Sequence, residues 1–122
     1  HEDDTQDDLQ YAARKLVASK LWPNDEGKTW RKSVRQLDYE ILLVSQFTLY
    51  GTVANKKHSP DYKDAMKSEQ ASASFDAFAS LCAAEYDADR VKTGVFGEMM
   101  DVALVNDGPV TLVVDSREDL AR

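Results

Sequence analysis

A chain of 122 residues, 43% hydrophobic and 30% charged, is long enough for one domain that buries roughly two thirds of its unfolded surface, and too short for two cores. A net charge of -7 excludes a general binder of polyanions, because phosphate affinity comes from clusters of lysine and arginine. No apolar run approaches the ~20 residues of a membrane-spanning helix, and a single cysteine, Cys82, leaves no internal disulfide and points to a reducing compartment, the cytoplasm.

The chain opens at His1 with neither methionine nor a signal-peptide pattern, and its first residues look like the middle of a domain. An N-terminal segment is therefore expected to be missing. Asp4 or Thr5 can cap a first helix, with Asp7 and Asp8 complementing its dipole. Leu9, Ala12, Ala13, Leu16 and Val17 form its apolar face, and Pro23 is expected to stop it. From Trp22 to Leu37 the pattern is loop with at most one short strand. Asn24 to Gly27 reads as a turn, and Trp30 as packing on the domain rather than stacking on a base.

Glu40 to Tyr50 is apolar over strand length and reads as a central strand buried on both faces. Gly51 to Lys67 is polar and basic, and reads as an irregular loop with Lys56, Lys57, His58 and Lys63 gathered in it. Such a patch on an acidic protein suffices to hold a charged ligand by one end. Ser68 is expected to cap a second helix, where Ala71, Phe75, Phe78, Cys82 and Tyr86 recur at helical spacing. Cys82 is read there as a small buried hydrophobe, not a nucleophile. Two more strands are expected, Met99 to Val105 and Val110 to Val114, so residues 1–116 form the domain and 117–122 a charged, frayed tail.

Two stretches carry more than structure. Ser45-Gln46-Phe47-Thr48-Leu49 closes the central apolar run with polar groups, and Asn106-Asp107-Gly108-Pro109-Val110-Thr111 sets a Gly-Pro step between two strand-like runs. Proline removes a ladder donor there, and glycine opens dihedrals closed to other residues, so the neighbouring carbonyls can be aimed outward. The plain alternative is an ordinary tight turn. Thr111 is a tempting nucleophile but has no evident general base, and a bare hydroxyl is weak at neutral pH. A triad on Ser45 or Thr48 could draw only on His58, whose plain reading is an exposed loop residue helping to bind phosphate. One cysteine and two distant histidines lack the spacing of a zinc site, and neither metal nor cofactor is expected.

In this order and spacing, the two motifs resemble those of the D-aminoacyl-tRNA deacylases. The likeness extends to His1-Glu2-Asp3-Asp4-Thr5, to Ala13-Arg14-Lys15-Leu16, and to Phe96-Gly97 ahead of Met100. It implies an α/β domain with helices packed on a strongly curved mixed sheet, and hydrolysis of the ester of D-aminoacyl-tRNA as a proofreading step. It also implies catalysis by main-chain groups and the terminal adenosine's own hydroxyl, with the amides of Phe47 and Thr48 as oxyanion donors. Gln46 would then bind the nucleotide, Phe47 line the adenosine site and Met100 close the pocket wall, with Phe96 and Asn106 nearby. Phe47 and Met100 fit a plain core role equally well, and Ser45 could merely satisfy a buried backbone group.

An activated ester needs positioning and charge stabilisation more than a side-chain nucleophile. Because D- and L-esters carry the same groups, chirality must be read by exclusion. The resemblance assigns that to the carbonyls of Gly108 and Pro109, presented from one subunit to the other in an obligate homodimer. Glycine lacks a side chain and should pass the same filter, making glycyl-tRNA a second substrate. The competing readings are a DNA-binding, replication-associated module with no hydrolase activity, and a hydrolase of some other small ester that uses the same oxyanion hole without tRNA.

Overall fold

The computed structural model describes residues 1–120. Its order is α1 (Gln6–Ala18), β1 (Ile41–Leu43), α2 (Ser68–Glu85), β2 (Val91–Thr93) and α3 (Ser116–Leu120), with short 3-10 turns at Arg35–Leu37 and Phe47–Tyr50. β1 and β2 pair in parallel, Ile41 opposite Val91 and Leu43 opposite Thr93. A parallel pair needs a long crossover, and α2 supplies it. The two helices pack on each other beside this sheet. Ala13 and Val17 of α1, Val34, Ile41 and Leu43, and Cys82 of α2 are buried together, with Leu16, Trp22, Phe75, Phe78 and Val91 packed around them.

Thr5 caps α1 as expected. Asp8 turns back to accept the Thr5 hydroxyl at 2.7 Å and the Thr5 N–H at 2.8 Å. The Thr5 hydroxyl above all, then the Ser116 hydroxyl and the Thr5 amide, hold the Asp8 carboxyl down to about 2. The stabilisation this gives is fully present above the ordinary value of 3.8 and is lost as pH falls through about 2. Thermal melts across that window should therefore show Asp8→Asn losing less stability on acidification than the unsubstituted protein.

Several elements differ from the sequence reading. α1 ends at Ala18, short of Pro23, where Ser19 turns extended and its hydroxyl donates to the Lys15 carbonyl at 2.6 Å. The first residue of α2 is Ser68, and the cap is Lys67. Trp30 does not pack on the domain: it is 51% exposed with a left-handed backbone, φ 59°. Trp22, bridged to Lys32 and edge-on to Tyr39, is the tryptophan that meets the core.

The strand expected over 40–50 is three residues long, and it is buried on one face only, with Ile41 and Leu43 inward and Leu42 outward. Its second half coils into the 3-10 turn at Phe47–Tyr50. Residues 99–105 and 110–114 are not strands: among the described residues no neighbour completes a ladder with them, and a strand exists only through its partner's hydrogen bonds. Helices packed on a sheet make the α/β class expected, and among the described residues that sheet is two-stranded, smaller than the curved mixed one anticipated.

β2 was not foreseen, though the turn at Asp87, whose carboxylate accepts the Asp89 N–H at 2.8 Å, marks its start. Of the tail expected to fray over 117–122, residues 117–120 are ordered in a helix, and 121–122 lie outside the described residues. Residues 116–120 are helical, Arg117 pairs with Asp3 at 3.2 Å, and the Tyr50 hydroxyl donates to Asp115 at 3.3 Å. No helix among the described residues is long and apolar enough to cross a membrane.

Candidate active site

The backbone beyond β1 builds the first half of the site. Leu43 still belongs to the sheet, its carbonyl accepting the Gly94 N–H at 2.9 Å. From Val44 the pairing stops, Gln46 is extended, and the chain winds into the 3-10 turn at Phe47. The first amides of such a turn point forward with no carbonyl behind them. Leu49 and Gly51 donate to Gln46 and Thr48, whereas no backbone acceptor is found for the amides of Phe47 and Thr48 among the described residues. Those two N–H groups were expected to be freed by a strand end, and a turn start frees them instead.

Around these amides, the Gln46 side-chain amide donates to the Thr48 hydroxyl at 2.7 Å. Phe47 is 60% exposed and its ring meets Tyr62 edge-on, the centroids 4.9 Å apart. Phe47 is therefore not a core residue. Ser45 is half-buried. Met100 comes to the same end of the sheet: its sulfur accepts the Val95 N–H at 3.3 Å, and it crowds Gly94, which also adjoins Val44. Phe96 leans instead on Phe75 of α2, the centroids 6.0 Å apart.

The second motif lies elsewhere on the chain's surface. Asn106, Gly108, Pro109 and Thr111 are all exposed. The Gly108–Pro109 peptide is cis, and Gly108 has φ 114°, a backbone closed to other residues. Thr111 sits with Val110, Leu112 and Val114 along a groove against Lys15, Leu16, Ser19 and Leu21. Among the described residues no hydrogen bond links Thr111 to Ser45, Gln46, Phe47 or Thr48.

Lys56, Lys57 and His58 stand exposed at the tip of the basic loop, where the Asn55 carboxamide oxygen accepts the Lys57 amide at 3.1 Å. His58 makes no hydrogen bond to Ser45 or Thr48 among the described residues, so no triad forms. Cys82 is fully buried, and burial pushes its thiol up to about 11, which keeps it protonated and unreactive. Tyr62 is the residue at this site that the sequence reading missed. Its only signal was an aromatic after Pro60 in a loop otherwise polar.

Known proteins resemble this chain over nearly its whole length. A protein 45% identical over 117 residues, covering 95% of this chain and 76% of its own, is the D-aminoacyl-tRNA deacylase of Dictyostelium discoideum. Another, 45% identical over 119 residues, covering 96% of this chain and 77% of its own, is the D-aminoacyl-tRNA deacylase of Yarrowia lipolytica. A solved structure titled c-Myc DNA Unwinding Element Binding Protein matches with TM-score 0.85 at 39% identity, over 93% of this chain and 75% of that one. The family model described as D-Tyr-tRNA(Tyr) deacylase matches residues 1–115. The chain belongs to the D-Tyr-tRNA(Tyr) deacylase family.

Proposed function

We propose that this protein hydrolyses the ester bond of D-aminoacyl-tRNA, releasing a free D-amino acid and tRNA and so removing wrong-handed residues before they reach translation. Family membership supports the reaction. The observation that carries the chemistry is the pair of unpartnered amides at Phe47 and Thr48, beside an exposed aromatic ring. Two adjacent N–H groups without an acceptor are free to bind an oxyanion, and the ester is activated enough for water to attack once it is held in place.

In this reading Gln46 hydrogen-bonds the terminal nucleotide beside Ser45, Phe47 lines its adenosine, and Met100 closes the pocket wall, while Phe96 stays packed on α2. Lys56, Lys57 and His58 hold the tRNA backbone by charge, without base contacts. Thr111 positions rather than attacks. Gly108 and Pro109 form the chiral filter, working from one protomer into the other's pocket, with Asn106 binding substrate beside them. The second protomer is supported by the outward apolar side chains of the same segment, Val105 being 96% and Val113 91% exposed. Glycyl-tRNA passes the filter because glycine has nothing to exclude, and the protein acts in the cytoplasm.

The DNA-associated alternative is the weaker. α2 contains Glu69, Asp76 and Glu85 and no lysine or arginine, and on α1 Asp7 and Asp8 offset Arg14 and Lys15, so neither long helix is basic overall.

The test is deacylation of matched D- and L-aminoacyl-tRNA by the full-length protein with chelator present. Rapid loss of the D-ester with the L-ester intact is the expected result, and survival of both would overturn the proposal. Thr111→Ala and His58→Ala are each expected to slow the D-reaction by less than about 10-fold. A loss on the order of 1000-fold in either would return the chemistry to a side chain.

A further inference from the structure

We infer that Tyr62 is a positioning residue that holds the Phe47–Gly51 turn in register and ties the basic loop to it, an inference that rests on the role proposed for Phe47 and Thr48. The loop is closed at its root. Thr52 and Asp61 exchange two backbone hydrogen bonds, Thr52 N–H to the Asp61 carbonyl at 2.9 Å and Asp61 N–H to the Thr52 carbonyl at 2.8 Å. Its tip is braced by Asn55, whose carboxamide nitrogen donates to the Ser59 carbonyl at 2.7 Å. The loop thus hangs from one fixed point as a single piece.

Tyr62 is the first residue past that root, and its ring touches both ends of the 3-10 turn. On one side it stands edge-on to Phe47, the planes at 76°. On the other it lies over Gly51 so closely that a Cβ there would sit 2.5 Å from Tyr62 Cε1 and 2.9 Å from the Thr48 carbonyl. Only glycine leaves the ring its seat. The Tyr62 hydroxyl makes no hydrogen bond among the described residues, so the ring alone does the bracing. Phe47 is otherwise open to solvent, and without Tyr62 the amides that follow Gln46 lose the wall that fixes their direction. Misplacement by about 1 Å can cost on the order of 100-fold in rate.

Steady-state deacylation of D-aminoacyl-tRNA by the full-length protein separates this role from a merely structural one. Tyr62→Ala and Tyr62→Leu, the second preserving bulk should the first fold poorly, are expected to lower kcat by about 10- to 100-fold. KM for the tRNA should stay within about threefold, since the Thr52–Asp61 pair still closes the loop that carries the lysines. Tyr62→Phe is expected to restore kcat, and Gly51→Ala to reproduce the loss by displacing the ring. The inference is overturned if Tyr62→Leu keeps kcat within about twofold, or if Tyr62→Phe loses as much as Tyr62→Leu. An inactive unsubstituted protein would sink the proposed function itself, whereas an active one with indifferent variants would sink only the role of Tyr62.

Discussion

Gly108→Ala is expected to cut the ratio of D- to L-ester hydrolysis by on the order of 10- to 100-fold while leaving the protein folded. The backbone at Gly108 has φ 114°, where an L side chain meets its own carbonyl. Space is not the obstacle, because a Cβ would stand 3.4 Å from the Val110 nitrogen, an ordinary contact. The dihedral is, so alanine must swing the local chain toward a permitted conformation and re-aim the carbonyls on either side. The segment is exposed, so the core is untouched and melting should change little. Paired rate measurements on the two esters check this, and an unchanged ratio would remove the filter from Gly108.

Leu43→Ala should act in the opposite way, through stability. Leu43 lies in the buried cluster where β1 meets the helices, and its carbonyl also carries the Gly94 link to β2. Truncating a buried leucine costs about 2–5 kcal/mol, a large share of the 5–15 kcal/mol that holds a typical domain together. Leu42, one residue away and 59% exposed, is the control. Its truncation is expected to cost less than about 1 kcal/mol, because side chains alternate across a strand and this one leaves the core. Denaturant melts of the two variants read the difference directly, and equal losses would mean that the alternation has been misread.

The same alternation explains what the sequence could and could not reveal. Helices were legible because their apolar spacing is local: Ala13, Val17, Phe75, Phe78 and Cys82 all fall on the faces expected of them. Strand extents were not, because a run such as Val110 to Val114 has the composition of a strand whether or not a neighbour lies beside it. Ile41 to Leu43 obtained its partner from Val91 to Thr93, a segment too short and too polar to stand out. At the site, residue types in fixed order identified both motifs. The geometry that frees two amides at Phe47 and Thr48, and the bracing by Tyr62 from across a loop, depend on backbone turns and long-range contact that no spacing encodes.

The bare apolar runs near the C-terminal end also bear on how newly made chains meet one another. Such segments are templates for indiscriminate pairing between newly made chains. Here they are fenced: Asp101 and Asp107 bracket Val102 to Val105, and Pro109 and Asp115 bracket Val110 to Val114. Charge and proline at those points act as gatekeepers against aggregation. A net charge of -7 adds a repulsion between molecules that disfavours such pairing further.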